Sequence, residues 1–369
     1  MPLFHCASAD LMTNPANPVE ALEHVKQTVA PDRHLAVFDV RIREESGGYS
    51  LTGEVDSADA KRQALDAVGR LGGSVKDEIT VLPSAELGDK VWGISSLSLL
   101  NVREKPGNGS EMGTQILMGN AFKILKQETN WFLVQSADRY LGWTEGGGFA
   151  VGTAEDVKSW NVSPLLIVTV LEERILEQPD THSLPVSDVI LCNLVKSIGE
   201  INDWYHVALP DGRSGYLAKK AAIDYAQWRK SRRATSENIE RDAKSFLGRP
   251  YSWGCNTPRG MDCSGFTKLV YYLNGAELNR NAAQQALQGV EIPMDATYSK
   301  LKKGDLLFFS HDDGTNGVEK VNHVGIYLGD KLFIHASGMV RISSLDPASP
   351  LHDTNPRRAL LQARRVLAD

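Results

Sequence analysis

Cysteine is scarce in this chain: four in 369 residues, at positions 6, 192, 255 and 263. So low a number excludes a disulfide framework, and no two of them form a CxxC pair that would suggest structural zinc. Long hydrophobic runs are also missing. No apolar stretch approaches the ~18 residues that mark a membrane span, so no spanning helix is expected. Met1 to Asp10 shows no basic segment followed by an apolar core, which sets aside a secretory signal. The expected compartment is the cytoplasm or, if an export signal has been removed, the periplasm or cell envelope. Basic charge is not in excess: 40 Lys and Arg against 46 Asp and Glu leave a net charge of −6. A chain with that balance offers no basic surface, and nucleic acid is not an expected partner. The length, at ~100–200 residues per domain, implies two to four domains.

The first segment reads as a small α/β unit. Residues 18–29 have helical periodicity. Residues 34–42 and 49–55 alternate as strands around the turn Glu45-Ser46-Gly47-Gly48. Residues 57–71 form an amphipathic helix capped by Asp56 or Ser57, and residues 75–82 a further strand. This α-β-β-α-β order resembles the BON-type domain of bacterial envelope proteins, and a structural or docking module is the plain expectation for it.

An internal repeat follows. Asn130-Trp131-Phe132-Leu133-Val134 leads to Tyr140-Leu141-Gly142-Trp143, and Asp203-Trp204-Tyr205-His206-Val207 leads to Gly215-Tyr216-Leu217. Tryptophan and glycine are eleven residues apart in both copies. Short alternating strands at this spacing favour small closed barrels. With Leu100-Asn101-Val102-Arg103-Glu104-Lys105-Pro106, the set resembles a bacterial SH3-like domain, present twice. The second copy has Arg174-Ile175-Leu176-Glu177-Gln178-Pro179 where the first has its Asn-Val-Arg element, and is the more diverged. The resulting limits are 1–86, 87–153, 160–227 and 234–369.

The last segment carries the chemistry. Cys263, in Gly260-Met261-Asp262-Cys263-Ser264-Gly265-Phe266, opens a run whose apolar residues fit a buried helix. A helix N-terminus stabilises an anion, which favours the reactive thiolate, and Asp262 can cap the helix. Small Ser264 and Gly265 would let a substrate approach the sulfur. Two strand patterns follow, one with His323 and one with His335, joined by a tight turn. The two histidines share a sheet face, so one ring could take the thiol proton while the other fixes its tautomer. Taken singly, each feature has a plainer reading: a small buried cysteine, structural histidines, or two metal ligands.

Their combination resembles the NlpC-type peptidases, papain-like enzymes that cut bacterial cell-wall peptides. The resemblance rests on Pro250-Tyr251-Ser252-Trp253-Gly254, Asp262-Cys263-Ser264-Gly265-Phe266, Arg280-Asn281-Ala282-Ala283-Gln284-Gln285, Lys303-Gly304-Asp305-Leu306-Leu307-Phe308-Phe309, His323-Val324-Gly325-Ile326-Tyr327 and His335-Ala336-Ser337-Gly338. It implies a multidomain α+β protein with a papain-like catalytic domain. Cys263 would be the nucleophile, His323 the base and His335 the orienting residue. The Tyr251 hydroxyl and the Cys263 N–H would hold the oxyanion, and no metal or organic cofactor is implied.

With the SH3-like pair, the layout resembles γ-D-glutamyl-L-diamino acid endopeptidases. These act on a murein peptide such as L-Ala-γ-D-Glu-diaminopimelate. By motif position, Asp262 and Ser264 would receive the L-Ala amine, with Glu111 and Tyr140 of the first SH3-like domain as partners and Trp143 nearby. Trp143 could equally be barrel core, Glu111 a solvated charge and Tyr251 a core aromatic. Arg280 would bind a substrate carboxylate or brace the fold. Asn281 stands where related sequences have Asp, which leaves open diaminopimelate or lysine at the third peptide position. The polar loop 310–320 would overhang the cleft or form a surface insertion. An inactive wall-binding protein, and an amidase or acyltransferase of the same fold, are the rival readings.

Overall fold

The computed structural model describes residues 17–311, 320–355 and 358–367. Cys6 and most of the loop before His323 lie outside the described residues. The chain divides into two compact units, Met1–Glu86 and Leu87–Asp369.

In the first unit, α1 (Pro18–Val29) starts at Asn17, whose side chain accepts from the Glu20 N–H at 3.0 Å. Strands β1 (Phe38–Glu45) and β2 (Gly48–Val55) form an antiparallel hairpin. Helix α2 (Ala58–Gly69), capped by Ser57, carries the chain over to β3 (Ser74–Val81), which runs parallel to β2. A parallel pair requires such a crossover. Leu22, Val25, Ala60, Ala64 and Val68 of the helices close on Leu51, Val55 and Ile79 of the sheet. The first strand begins later than residue 34, because Asp32 Oδ1 accepts from the His34 N–H at 2.8 Å and holds that segment in a turn.

The second unit begins with seven strands: β4 (Trp92–Ser95), β5 (Leu99–Arg103), β6 (Met112–Leu117), β7 (Ala121–Glu128), β8 (Trp131–Gln135), β9 (Leu141–Glu145) and β10 (Phe149–Gly152). Helix α3 (Ala154–Asn161), started by a capping box of Thr153 and Asp156, leads to seven more. These are β11 (Leu165–Val168), β12 (Glu172–Leu176), β13 (Pro185–Ile190), β14 (Leu194–Ile201), β15 (Trp204–Ala208), β16 (Ser214–Ala218) and β17 (Ala222–Asp224). The sheet orders are β10-β4-β7-β8-β9-β5-β6 and β17-β11-β14-β15-β16-β12-β13, which correspond position by position. The sequence repeat is thus a repeat of topology. Its spacing has a steric cause. Gly142 pairs with Val134 and Gly215 with Val207. A Cβ on Gly142 would lie 2.8 Å from the Arg103 carbonyl oxygen, and one on Gly215 2.6 Å from that of Leu176. In each copy the glycine lets the end of another strand approach at that point, through Arg103↔Trp143 and Leu176↔Tyr216.

Helices α4 (Tyr225–Ser231) and α5 (Ser236–Lys244) lead into the last domain. There the hairpin β18 (Asn256–Thr257) and β19 (Gly260–Met261) precedes α6 (Cys263–Leu273) and the short α7 (Ala282–Gln285). Strands β20 (Val290–Ile292), β21 (Leu306–His311), β22 (Val321–Gly329), β23 (Leu332–Ser337), β24 (Met339–Ser344) and β25 (Arg358–Arg365) form one antiparallel sheet, ordered β20-β25-β21-β22-β23-β24. Phe266, Leu269 and Val270 of α6 share a core with Phe308, Val324, Ile326 and Ile334 of the sheet. At ~1.5–3 kcal/mol per fully buried large apolar side chain, this contact fixes the helix start against β22.

Candidate active site

Asp262 sets the start of α6: its Oδ1 accepts from the Gly265 N–H at 2.7 Å. This places Cys263 in the first turn, its side chain buried. The sulfur lies 4.0 Å from the Asn322 carbonyl oxygen and interacts with the Val324 N–H. It therefore touches the β22 backbone on both sides of His323. Gly265 serves packing rather than substrate access, since a Cβ there would overlap the Cys255 carbonyl oxygen.

His323 Nε2 is 2.8 Å from His335 Nδ1, with the rings close to perpendicular at 82°. The two do not face each other directly. Ile326 pairs with Ile334, which sets Gly325 rather than His323 across from His335. A Cβ on Gly325 would come within 3.2 Å of His335 Cβ. The bare glycine lets the His335 ring cross diagonally to His323. Phe309 and Phe333 flank the two rings, so the pair is walled by apolar groups. On its far side, His335 Nε2 is 3.0 Å from Ser343 Oγ, a contact with no signal in the motif set.

Burial opposes the pull of the helix end on the thiol. Burial pushes the Cys263 thiol up to about 12, the Asp262 carboxylate pushes the same way, and the Val324 and Ser264 N–H groups and Arg280 oppose without offsetting them. An isolated sulfur anion is too costly in so dry a place. A thiolate beside an imidazolium is a different species, because the pair stays neutral overall. With His323 as the base expected from the sequence, activation depends on that ring. His323→Gln is expected to slow iodoacetamide alkylation of Cys263 at pH 7 by ~10²-fold or more, read by peptide mass spectrometry. An unchanged rate would mean that the helix terminus suffices.

A second cluster adjoins Cys263. Arg280 is only 1% exposed. Its Nη1 donates to Asp262 Oδ1 and Ser264 Oγ, both at 3.0 Å, its Nη2 to Asp262 Oδ2 at 2.6 Å, and its Nε to Thr114 Oγ1 at 3.1 Å. Asp262 also accepts from the Gly254 N–H at 3.0 Å. Arg280 is thus spent on bracing, and Asp262 is already neutralised. Thr114 belongs to β6, so the first SH3-like sheet is bonded into this cluster. The same contact is sealed by Asn256 Nδ2, which donates to the Gln115 carbonyl at 3.2 Å. Gly254 allows the approach, since a Cβ there would overlap the Met112 carbonyl.

The remaining expected residues separate. Tyr140 is buried and its hydroxyl donates to Glu104 Oε1 at 3.0 Å. Gly113 makes room for both groups. Glu111 is exposed; the carboxylate that meets Tyr140 is Glu104, which stands within the Asn101–Pro106 motif. Trp143 has the opposite strand parity to Tyr140, and its ring is covered by Lys126 Nζ at 5.3 Å from the centroid. Asn281 precedes α7 and its N–H donates to Gln284 Oε1 at 3.1 Å, a helix-starting role. Tyr251 bridges to Met261, two residues before Cys263, and its N–H donates to the Gly338 carbonyl at 2.9 Å. Among the described residues no cluster of three or more His, Cys, Asp or Glu is arranged to hold a metal.

Residues 248–364 match the NlpC/P60 family. That match covers about the last third of the chain, the part that carries Cys263, His323 and His335. Residues 98–148 match the bacterial SH3 domain and residues 20–83 the BON domain. Over 263 residues the chain is 29% identical to a dipeptidyl-peptidase 6 of Lysinibacillus sphaericus, covering 69% of this chain and 92% of the relative. Over 280 residues it is 26% identical to a gamma-D-glutamyl-L-lysine dipeptidyl-peptidase of Bacillus cereus, covering 72% and 79%. A solved NlpC/P60 family protein from Bacillus cereus shares the fold, with a TM-score of 0.61 at 23% identity over 75% of this chain and all of that one.

Proposed function

We propose that this peptidase hydrolyses the amide between γ-D-Glu and the diamino acid in murein peptides whose L-Ala amine is free. The observation that carries the reading is a cysteine whose sulfur lies against the β22 backbone on both sides of His323, itself 2.8 Å from His335, next to an Arg280 cluster that Thr114 of the first SH3-like sheet joins. The name of the Bacillus cereus relative points to the same bond.

In this reading Cys263 attacks the γ-carbonyl while His323 Nδ1 takes its proton, Nε2 being turned to His335. The Cys263 N–H and the Tyr251 hydroxyl stabilise the oxyanion. The imidazolium returns the proton to the departing amine of the diamino acid. Water, deprotonated by the same ring, then releases the dipeptide from the thioester. A buried ammonium requires a counter-charge. With Asp262 committed to Arg280, Glu104 becomes the carboxylate for the L-Ala amine, and an acylated amine leaves it unmatched. Ser264 and Tyr140 line that end. The sheets of 87–153 and 160–227 act as SH3-like barrels, 1–86 is the α/β unit and 234–369 the peptidase domain. No helix among the described residues is long and apolar enough to cross a membrane. Small peptides of this kind suit recycling in the cytoplasm or, if an export signal has been removed, turnover in the periplasm or cell envelope.

The test is mass spectrometry of digests of L-Ala-γ-D-Glu-diaminopimelate, its lysine counterpart and their N-acetylated forms. Release of the diamino acid from the unblocked peptides alone is the expected result. Comparable cleavage of the acetylated peptides would remove the amine requirement.

A further inference from the structure

We infer that Ser343 is a positioning residue that sets the tautomers of both imidazoles, and so decides whether His323 can accept the Cys263 proton. The inference rests on the Cys263–His323 reading and extends it to a fourth side chain.

The three groups step diagonally across three neighbouring strands. His323 is on β22 and His335 on β23. His335 pairs with Arg341 of β24, and Ser343 is the next residue on the same face. The contacts are 2.8 Å from His323 Nε2 to His335 Nδ1 and 3.0 Å from His335 Nε2 to Ser343 Oγ. Only one hydrogen fits on each line, so the chain has two polarities. In the first, Ser343 Oγ accepts from His335 Nε2–H, His335 Nδ1 accepts from His323 Nε2–H, and His323 Nδ1 is bare. That nitrogen can take the thiol proton. In the second, the Ser343 hydroxyl donates to His335 Nε2, His335 Nδ1–H donates to His323 Nε2, and His323 carries its hydrogen on Nδ1. The ring then has no lone pair for the sulfur's proton. Catalysis requires the first polarity, with Ser343 as acceptor at its end.

Burial makes that end matter. His335 is fully buried and Ser343 only 3% exposed, and the Phe333 ring lies 4.7 Å from that of His335. Without the hydroxyl, an Nε2–H on His335 loses its 3.0 Å acceptor in a buried place. The pair then escapes the penalty by moving the hydrogen to Nδ1, which selects the inactive polarity.

The experiment compares wild type with Ser343→Ala, Ser343→Cys and Ser343→Thr on the unblocked tripeptide. It also records ¹⁵N spectra of the imidazoles in each full-length protein. Ala and Cys are expected to lower kcat ~10- to 100-fold, the scale seen when an outer-shell orienting partner is lost, with KM within about twofold. Both should move ¹⁵N intensity from the Nε2–H to the Nδ1–H form. Thr keeps the hydroxyl, suits a strand, and is expected to restore kcat to within a few-fold of wild type. Cys preserves the volume, so it carries the test even where Ala fails to fold. Wild-type kcat in the Cys variant, or a lower kcat with unchanged tautomers, would overturn the inference. The spectra need no turnover. A wrong choice of nucleophile would show instead as activity persisting in Cys263→Ala, while the spectra still decide the part of Ser343.

Discussion

Cys263→Ala removes turnover and leaves the protein folded. The loss is expected to reach about 10⁴- to 10⁶-fold in kcat, because nucleophile and base act as one unit and removing either forfeits the covalent route. The structural effect is small. One buried sulfur is deleted from the first turn of α6, a cost of about 1 kcal/mol, comparable to one buried methyl group. The cap that starts the helix belongs to Asp262, and the apolar contacts to Phe266 and its neighbours, so neither depends on the sulfur. Circular dichroism and the urea midpoint should therefore stay close to wild type while release of the diamino acid disappears. Cys255→Ala is the control. Its sulfur lies 3.3 Å from Ser252 Oγ, and removing it should change kcat by no more than about twofold. Normal turnover in Cys263→Ala would end the assignment of the nucleophile.

What the sequence shows and what it conceals divide along physical lines. Periodicity marks α1 and the strand pairs of the first unit, because those elements bury one face and expose the other. The Trp131–Gly142 and Trp204–Gly215 spacing gives the repeat, because the glycine is needed wherever one strand crosses another closely. The helix-start cysteine and the strand histidines are legible because their residue types are rare and lie on elements with clear patterns. Contacts between elements distant in sequence are not legible. The Arg280 pairing with Asp262 spans two helix starts, and its Thr114 contact reaches across 166 residues of sequence. Ser343 lies on a strand whose register against β23 no local signal fixes. Glu104 was hidden differently: it sits in a recognisable motif, but only the fold shows that its carboxylate, and not that of Glu111, meets Tyr140. Helix polarity at Cys263 can be read from the sequence, whereas the burial of its thiol cannot.

Arg280→Met should destabilise the peptidase domain by about 3–5 kcal/mol, the range for removing one partner of a buried ion pair. Asp262 would keep its charge with only the Gly254 and Gly265 N–H groups and the Ser264 hydroxyl as donors. The lower end of the range is therefore expected. The damage should be local before it is global. Asp262 starts α6, so amide exchange across the first turns of that helix should speed up, and kcat should fall with it because Cys263 stands in the same turn. Asp262→Asn leaves the opposite charge alone and should cost a similar amount. Combining the two removes both charges, and the double variant should recover part of the loss, with a coupling of about 2 kcal/mol in the cycle. Arg280→Lys separates charge from shape. An ammonium cannot make two parallel bonds to Asp262 and still reach Thr114 and Ser264, so most of the loss should persist. Exchange in α6 unchanged in Arg280→Met would mean that the helix start is held by its apolar contacts alone, and the bridge from Thr114 would then play no part in holding the nucleophile.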